Sequence, residues 1–426
     1  MAERGRAEAR GVLQALGPGL LFAGAAVGVS HLVQSTRAGA VYGLAMLGLV
    51  VAANFFKYPA FAFAPRYAAA TGTSLLEAYR QQGRWALGLY ALVTFGTMFT
   101  VQAAVTIVAA GLAQALFGDW LGVLSYAALI TGFCALVTVV GGFAALDRVM
   151  KAIVGVLTIS TLAATALVIP TLPWGSMPWS IGAGGWDRET IFFAAALVGW
   201  MPTALDIGVW HSLWTLARRQ QTGHAPTIRE VLIDFDIGYV GTAALAICFV
   251  LLGAGVFFGQ GVELAASPGG FANQVIALYT ENLGAWSRPM IATAAFAVML
   301  STVLTVTDGF PRALATLRER LRAPEVPGAV EVATRTTYRA ALALVCVGSL
   351  AILGAFQGGL RALVDLATTL SFLTAPVFSV LNHRAMRSPA MPIAGRPSRA
   401  MMGMSIAGIV FQAAFAAYYV WLRFLA

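Results

Sequence analysis

The chain is 426 residues long, 59% hydrophobic and only 11% charged, with a mean hydropathy of +0.79. Soluble domains carry roughly a quarter charged residues, so this composition excludes a water-soluble protein and indicates an all-α polytopic membrane protein. The net charge of +9 does not imply nucleic acid, because the basic residues gather in alternate loops, which is a topology signal.

The N-terminal MAERGRAEARG has no apolar region ahead of a cleavage site, so 1–12 reads as a cytoplasmic tail rather than a signal peptide. About twenty apolar residues are needed per crossing. The pattern then predicts eleven, at 13–42, 44–68, 85–116, 120–144, 148–171, 189–217, 232–259, 285–310, 338–357, 360–381 and 402–424. The polar stretch from Arg312 to Arg339 reads as a loop, leaving no soluble domain. With the N-terminus inside, 21 of the 27 Lys and Arg lie on the cytoplasmic side and 4 outside, which puts the C-terminus outside. Trp120, Trp174, Trp179, Trp186 and Trp286 fall near the predicted outer boundary, as an aromatic belt would. Cys134, Cys248 and Cys346 lie in apolar runs without metal or redox spacing and read as small buried hydrophobes.

The first crossing is interrupted. Leu20 to Val27 is apolar, then Gly28, Val29 and Ser30 lead into His31, Gln34, Ser35, Thr36 and Arg37. Such groups cannot face hydrocarbon. At helical spacing His31, Gln34 and Ser35 share a face, with Arg37 turned about 120° away. Phe22 to Gly28 (FAGAAVG) has a counterpart in Phe193 to Gly199 (FAAALVG), in the sixth crossing. Matched interruptions five crossings apart are what two inverted five-helix repeats present; they divide the chain into 13–171, 189–381 and a last helix at 402–424. Small-residue helix packing is the structural alternative.

In the sixth crossing Pro202 frees carbonyls of the preceding turn, so Val198 and Gly199 join Met201, Thr203 and Asp206 as candidate ligands. Asp206 is read as functional, or else as a partner for Arg37 or Lys57. Trp200, Trp210 and Trp214 read as packing residues. The eighth crossing offers Ser301, Thr302, Thr305 and Thr307, which either line a coupling-ion site or bond back to their own helix. Asp308 reads as solvated near the cytoplasmic end. Asp234 and Asp236 open the seventh crossing, where carboxylates suit a helix N-terminus. Asp365, Thr368 and Thr369 form a polar face in the tenth. Lys57, the single charge of the second, is either a fixed internal cation or a residue snorkelling to the inner interface.

Together these residues resemble the Nramp family of proton-coupled divalent-metal transporters, over most of the chain. The likeness rests on Gly17-Pro18-Gly19, the Gly39 to Gly43 close of the first crossing, Met201-Pro202 and the Leu370-Ser371-Phe372 stretch. It implies a LeuT-type fold, with broken helices 1 and 6 and an eleventh helix, and alternating access around a central site. The family's Asp-Pro-Gly-Asn falls on Gly28-Val29-Ser30-His31, and its Met-Pro-His on Met201-Pro202-Thr203. A tenth-crossing glutamine of some members falls on Ala367, and an acidic residue late in the first crossing on Arg37. Of the matched ligands only Met201 remains, and a dication needs anionic or strongly dipolar oxygens. His31 and Met201 are the residues left for a soft metal. The expectation is a secondary transporter of a small polar or anionic organic solute. Retained divalent-metal transport through a rebuilt site and a non-transporting sensor or scaffold are the alternatives. No nucleophile–base pair points to an enzyme. No cofactor is expected; the coupling ion is H+, with His31 best placed because its reference pKa is near 6.5, or Na+. The expected setting is a prokaryotic-type cytoplasmic membrane, and the oligomeric state is open.

Overall fold

A computed structural model describes residues 10–182, 185–260, 265, 267–322, 334–355 and 359–425. Most of the expected tail, part of the loop after the eighth crossing and the junction near 357 lie outside them. The described residues are almost wholly helical. The first crossing is broken into α1 (Pro18–Ala26), a π turn (Ser30–Ser35) and α2 (Thr36–Tyr42), bent by 44°. Then follow α3 (Leu47–Thr71), α4 (Leu75–Gln82), α5 (Arg84–Phe117) and α6 (Val123–Val168). The sixth crossing is split into α7 (Arg188–Gly199) and α8 (Ile207–Thr222). After it come α9 (Ile228–Phe257), α10 (Pro268–Leu283), α11 (Arg288–Arg322), α12 (Arg335–Ala355), α13 (Gly359–Met386) and α14 (Arg399–Phe424).

Nine stretches among the described residues are long and apolar enough to span a bilayer, ten counting the bent first pair. The chain is an integral membrane protein. The 46 residues of α6 would reach about 69 Å as one straight rod, more than twice the hydrocarbon thickness. They hold two apolar stretches, Val123–Val140 and Phe143–Thr171, each long enough to cross by itself. Tyr126 donates to the Gly118 carbonyl at the end of α5, and Phe143 lies 6.0 Å from the Arg312 guanidinium at the opposite face. Val168 returns to Gly255, near the end of α9.

The first crossing is held along its length by α9. Both Asp234 oxygens accept backbone amides at the start of α1, from Gly17 at 2.9 Å and Gly19 at 2.6 Å, straddling Pro18, which has no N–H to give. A Cβ on Gly238 would sit 2.1 Å from the Gly19 carbonyl oxygen, and one on Gly253 2.2 Å from that of Thr36. Only glycine permits these two backbone approaches. Nearby, Asp147 accepts from Lys151 (2.8 Å) and Arg218 (3.1 Å), which also donate to the Leu16 and Gln14 carbonyls. The entry to the first crossing is thereby stapled to α6 and α8.

Several expectations change. The loop expected from Arg312 to Arg339 is helical as far as Arg322 and again from Arg335. Asp308 is not solvated: it is buried and accepts from Arg312, the Trp214 indole and the Tyr338 hydroxyl. Two short helices, α4 and α10, lie between predicted crossings. Both are too short to give a spanning signal. The five boundary tryptophans are all exposed, as belt residues should be.

Gly238→Leu is expected to abolish the monodisperse folded protein, because the clash is with backbone. Asp234→Asn should cost about 2 kcal/mol through its weakened amide bonds. Size-exclusion profiles and thermal denaturation check both, and a wild-type Tm for Gly238→Leu would disprove the α1–α9 contact.

Candidate functional site

Both broken helices stop in the protein interior, because each carries a stretch that cannot continue an α-helix. After Ala26 the chain runs through Val27 to Val29 before the π turn; after Gly199 it runs through Trp200 to Asp206 and includes Pro202. A narrow cavity of about 20 Å³ lies against both breaks. Its polar lining comes from Ser30, Thr203, Asp206 and Thr302, and its apolar walls include Trp200, Trp210 and Val101.

Asp206 is 6% exposed and lines this cavity. It is the residue just before α8 and makes no side-chain capping bond to that helix. Neither expected partner reaches it. Arg37 instead pairs with Asp365 on α13 at 3.0 Å, and its guanidinium lies 4.7 Å over the Phe193 ring. Lys57 is wholly buried and donates to the carbonyls of Val198 (2.5 Å) and Gly199 (3.1 Å). It does not snorkel. Trp200 and Trp210, read as packing residues, are cavity walls, and the Trp200 indole donates to Ser371 at 2.7 Å.

His31, Gln34 and Ser35 do not share a face. The π turn changes their angular spacing, so each finds a different neighbour. His31 Nε2 lies 2.9 Å from the Thr242 carbonyl on α9, and its Nδ1 lies 2.6 Å from Ser30 Oγ. Gln34 donates to Asp365 at 3.3 Å, joining Arg37 there. Ser35 bonds back to the Ser30 carbonyl. Met201 is buried in an apolar cluster with Val50, Val198 and Phe372, away from the cavity lining. Gly28 lies against Thr302, where a Cβ would be 2.7 Å from Oγ1. Ser301 and Thr305 bond back to their own helix, whereas Thr302 also donates to the Gly24 carbonyl at 2.9 Å. Among the described residues no three His, Cys, Asp or Glu side chains come together as a metal site would require.

The sequence reading passed over His211, which is buried between the Phe22 and Phe235 rings with neither nitrogen hydrogen-bonded among the described residues. It also missed the apolar cavity walls Ala25, Val105 and Val306. Nothing distinguishes these three from other small or branched residues in a crossing, so no local signal would have found them.

No family model matches the chain. An uncharacterized protein of Pasteurella multocida is 31% identical over 404 residues, covering 94% of this chain and 90% of that protein. The divalent metal cation transporter MntH of Verminephrobacter eiseniae is 29% identical over 263 residues, 58% of each chain. Among solved structures, a manganese transporter of Eremococcus coleocola, in complex with an aromatic bis-isothiourea substituted compound, superposes with a TM-score of 0.72. That match covers 96% of this chain and 86% of that one at 16% identity. MhsT in complex with L-phenylalanine gives a TM-score of 0.67 at 13% identity, covering 96% and 98%. At such identities the structural likeness is one of fold. The chain belongs to one family with the Pasteurella protein, a divergent Nramp-like family of LeuT-type fold.

Proposed function

We propose that the protein is a secondary active transporter working by alternating access, with a small polar organic solute as its cargo. In this reading the chain makes eleven crossings, starts in the cytoplasm and ends outside, and its inverted repeats are 13–171 and 189–381. The cavity carries the proposal: it adjoins both broken crossings and combines hydroxyls, one carboxylate and two indole walls. This lining suits an organic body with hydrogen-bonding groups. Asp206 disfavours the anionic solutes that sequence alone allowed, and favours cargo with a donor such as an amine or amide. A single carboxylate is a poor cage for a dication, which needs several hard oxygens. The MhsT structure holds an amino acid within the same fold.

Divalent-metal transport is the second reading, favoured by the likeness to MntH and to the Eremococcus coleocola manganese transporter. For coupling, a proton taken by Asp206 fits better than one taken by His31, whose two ring nitrogens already face Ser30 and Thr242. The Arg37–Asp365 pair, braced by Gln34 and Phe193, serves as the outer gate.

Three outcomes follow. A thermal-shift screen of amino acids, amines and metal salts should yield an organic ligand that stabilises the wild type, with the shift lost in Asp206→Asn. Saturable manganese uptake into proteoliposomes, abolished by Asp206→Asn or Met201→Ala, would instead establish the metal reading. Once the cargo is known, Asp206→Asn uptake should no longer respond to an imposed pH gradient, while His31→Gln should keep its response. In a cysteine-free background, Thr203→Cys should be labelled from outside at least about tenfold faster when Arg37→Ala is added, since removing a gate ion pair costs about 1.4 kcal/mol or more of closure. Equal labelling rates would remove Arg37 from the gate.

A further inference from the structure

A helix that stops inside a protein leaves its last carbonyls without intrahelical partners and presents a partial negative charge there. Among the described residues, α1 and α7 do so. At the end of α1, Thr302 Oγ1 donates to the Gly24 carbonyl at 2.9 Å and lies 3.4 Å from that of Val27. At the end of α7, the Lys57 ammonium donates to the carbonyls of Val198 and Gly199. Lys57 has no solvent exposure. Among the described residues no carboxylate lies within ion-pair distance of its Nζ, while Asp147, Asp308 and Asp365 are all taken by other bases. An unpaired buried ammonium is costly, so the two carbonyls and the helix end are what retain it.

We propose that Lys57 is the resident cation of the sixth crossing: its ammonium occupies, on a tether from α3, a site that the Val198 and Gly199 carbonyls would otherwise offer to a small free monovalent cation. Truncating the side chain vacates that site and makes it a binding site for ammonium or methylammonium, which bring the same N–H donors to the same two oxygens. The inference holds whatever the cargo is, because it concerns the carbonyl end of α7 and not the cavity lining. It also gives the intact protein a fixed positive charge where a cargo cation would meet free carbonyls, which works against cation binding at that end.

The test uses purified full-length protein in detergent, with Tm followed against added chloride salts at constant ionic strength. Lys57→Ala is expected to lose about 5 °C or more and to recover most of the loss saturably with methylammonium or ammonium, but not with choline, which is too large for the hollow. Wild type and Lys57→Met, whose chain fills the hollow without charge, should show no such recovery. Equal responses to choline and methylammonium, or no response in a folded Lys57→Ala, would overturn the proposal. Should Lys57→Ala not fold, the Lys57→Arg and Lys57→Met proteins decide. Arg more stable than Met supports a retained cation; Met equal to or better than Arg refutes it and leaves Lys57 as an apolar tether.

Discussion

Hydrocarbon supplies no water to backbone groups, so every helix end inside a membrane protein must be satisfied by protein. This chain breaks two of its crossings, which leaves helix ends in the interior besides the one at the entry of α1. Asp234 accepts the amides at the start of α1, and Thr302 donates to carbonyls at its end. Lys57 donates to the carbonyls that end α7, and Asp206 stands at the start of α8 against the cavity. The signs match the helix dipole at each charged position: carboxylates at amino ends, the ammonium at a carboxyl end. That is why Lys57 and Asp206 do not have to find each other. Lys57 answers a backbone terminus directly, and Asp206 sits at one while lining the cavity.

The same arrangement separates what is held from what can change. The first crossing is fixed against α9 by glycine contacts at two levels, so near Gly19 and Thr36 its backbone can move only together with α9 or by breaking that packing. Its other polar contacts are single side-chain bonds: Gln34 and Arg37 to Asp365, and His31 to the Thr242 carbonyl. Such bonds can exchange partners at modest net cost, since one hydrogen bond is worth about 1 kcal/mol overall. The cavity itself is lined by neither of these contacts: its walls come from the two broken crossings, α5 and α11.

Much of this was legible in the sequence, because hydropathy, positive charge and the two interrupted motifs are local signals. The breaks at Gly28 and after Gly199 could be placed from residue type alone, and so could the importance of Lys57 and Asp206 as charges inside crossings. Their partners could not, because those partners are backbone carbonyls and amides that every residue carries. The face shared by His31, Gln34 and Ser35 failed for a different reason. It assumed 3.6 residues per turn, and the π turn over Ser30–Ser35 sends the three to different neighbours. The Arg37–Asp365 pair joins residues 328 positions apart, which no spacing rule reaches. Ser74 and Glu77 did carry the S-x-x-E signature of a helix start. In α4, however, Glu77 is taken by Arg80 and Arg320.

The glycine at position 28 shows how the site's parts constrain one another. The resemblance to metal transporters puts their aspartate here, and its loss reads at first as the deletion of one ligand. In the fold, a Cβ on Gly28 would lie 2.7 Å from the Thr302 hydroxyl and 2.8 Å from its methyl. That hydroxyl is the group that closes the end of α1. Glycine at 28 and threonine at 302 thus form one solution, in which a neutral hydroxyl from α11 satisfies carbonyls that would otherwise be free to hold a cation. Lys57 is the corresponding solution at α7. Restoring a carboxylate at 28 would therefore displace Thr302 before it could coordinate anything. The ammonium of Lys57 would still cover the Val198 and Gly199 carbonyls. With Gly28 leaving room for Thr302, the Gly24, Val198 and Gly199 carbonyls are each taken by a side chain of the protein itself.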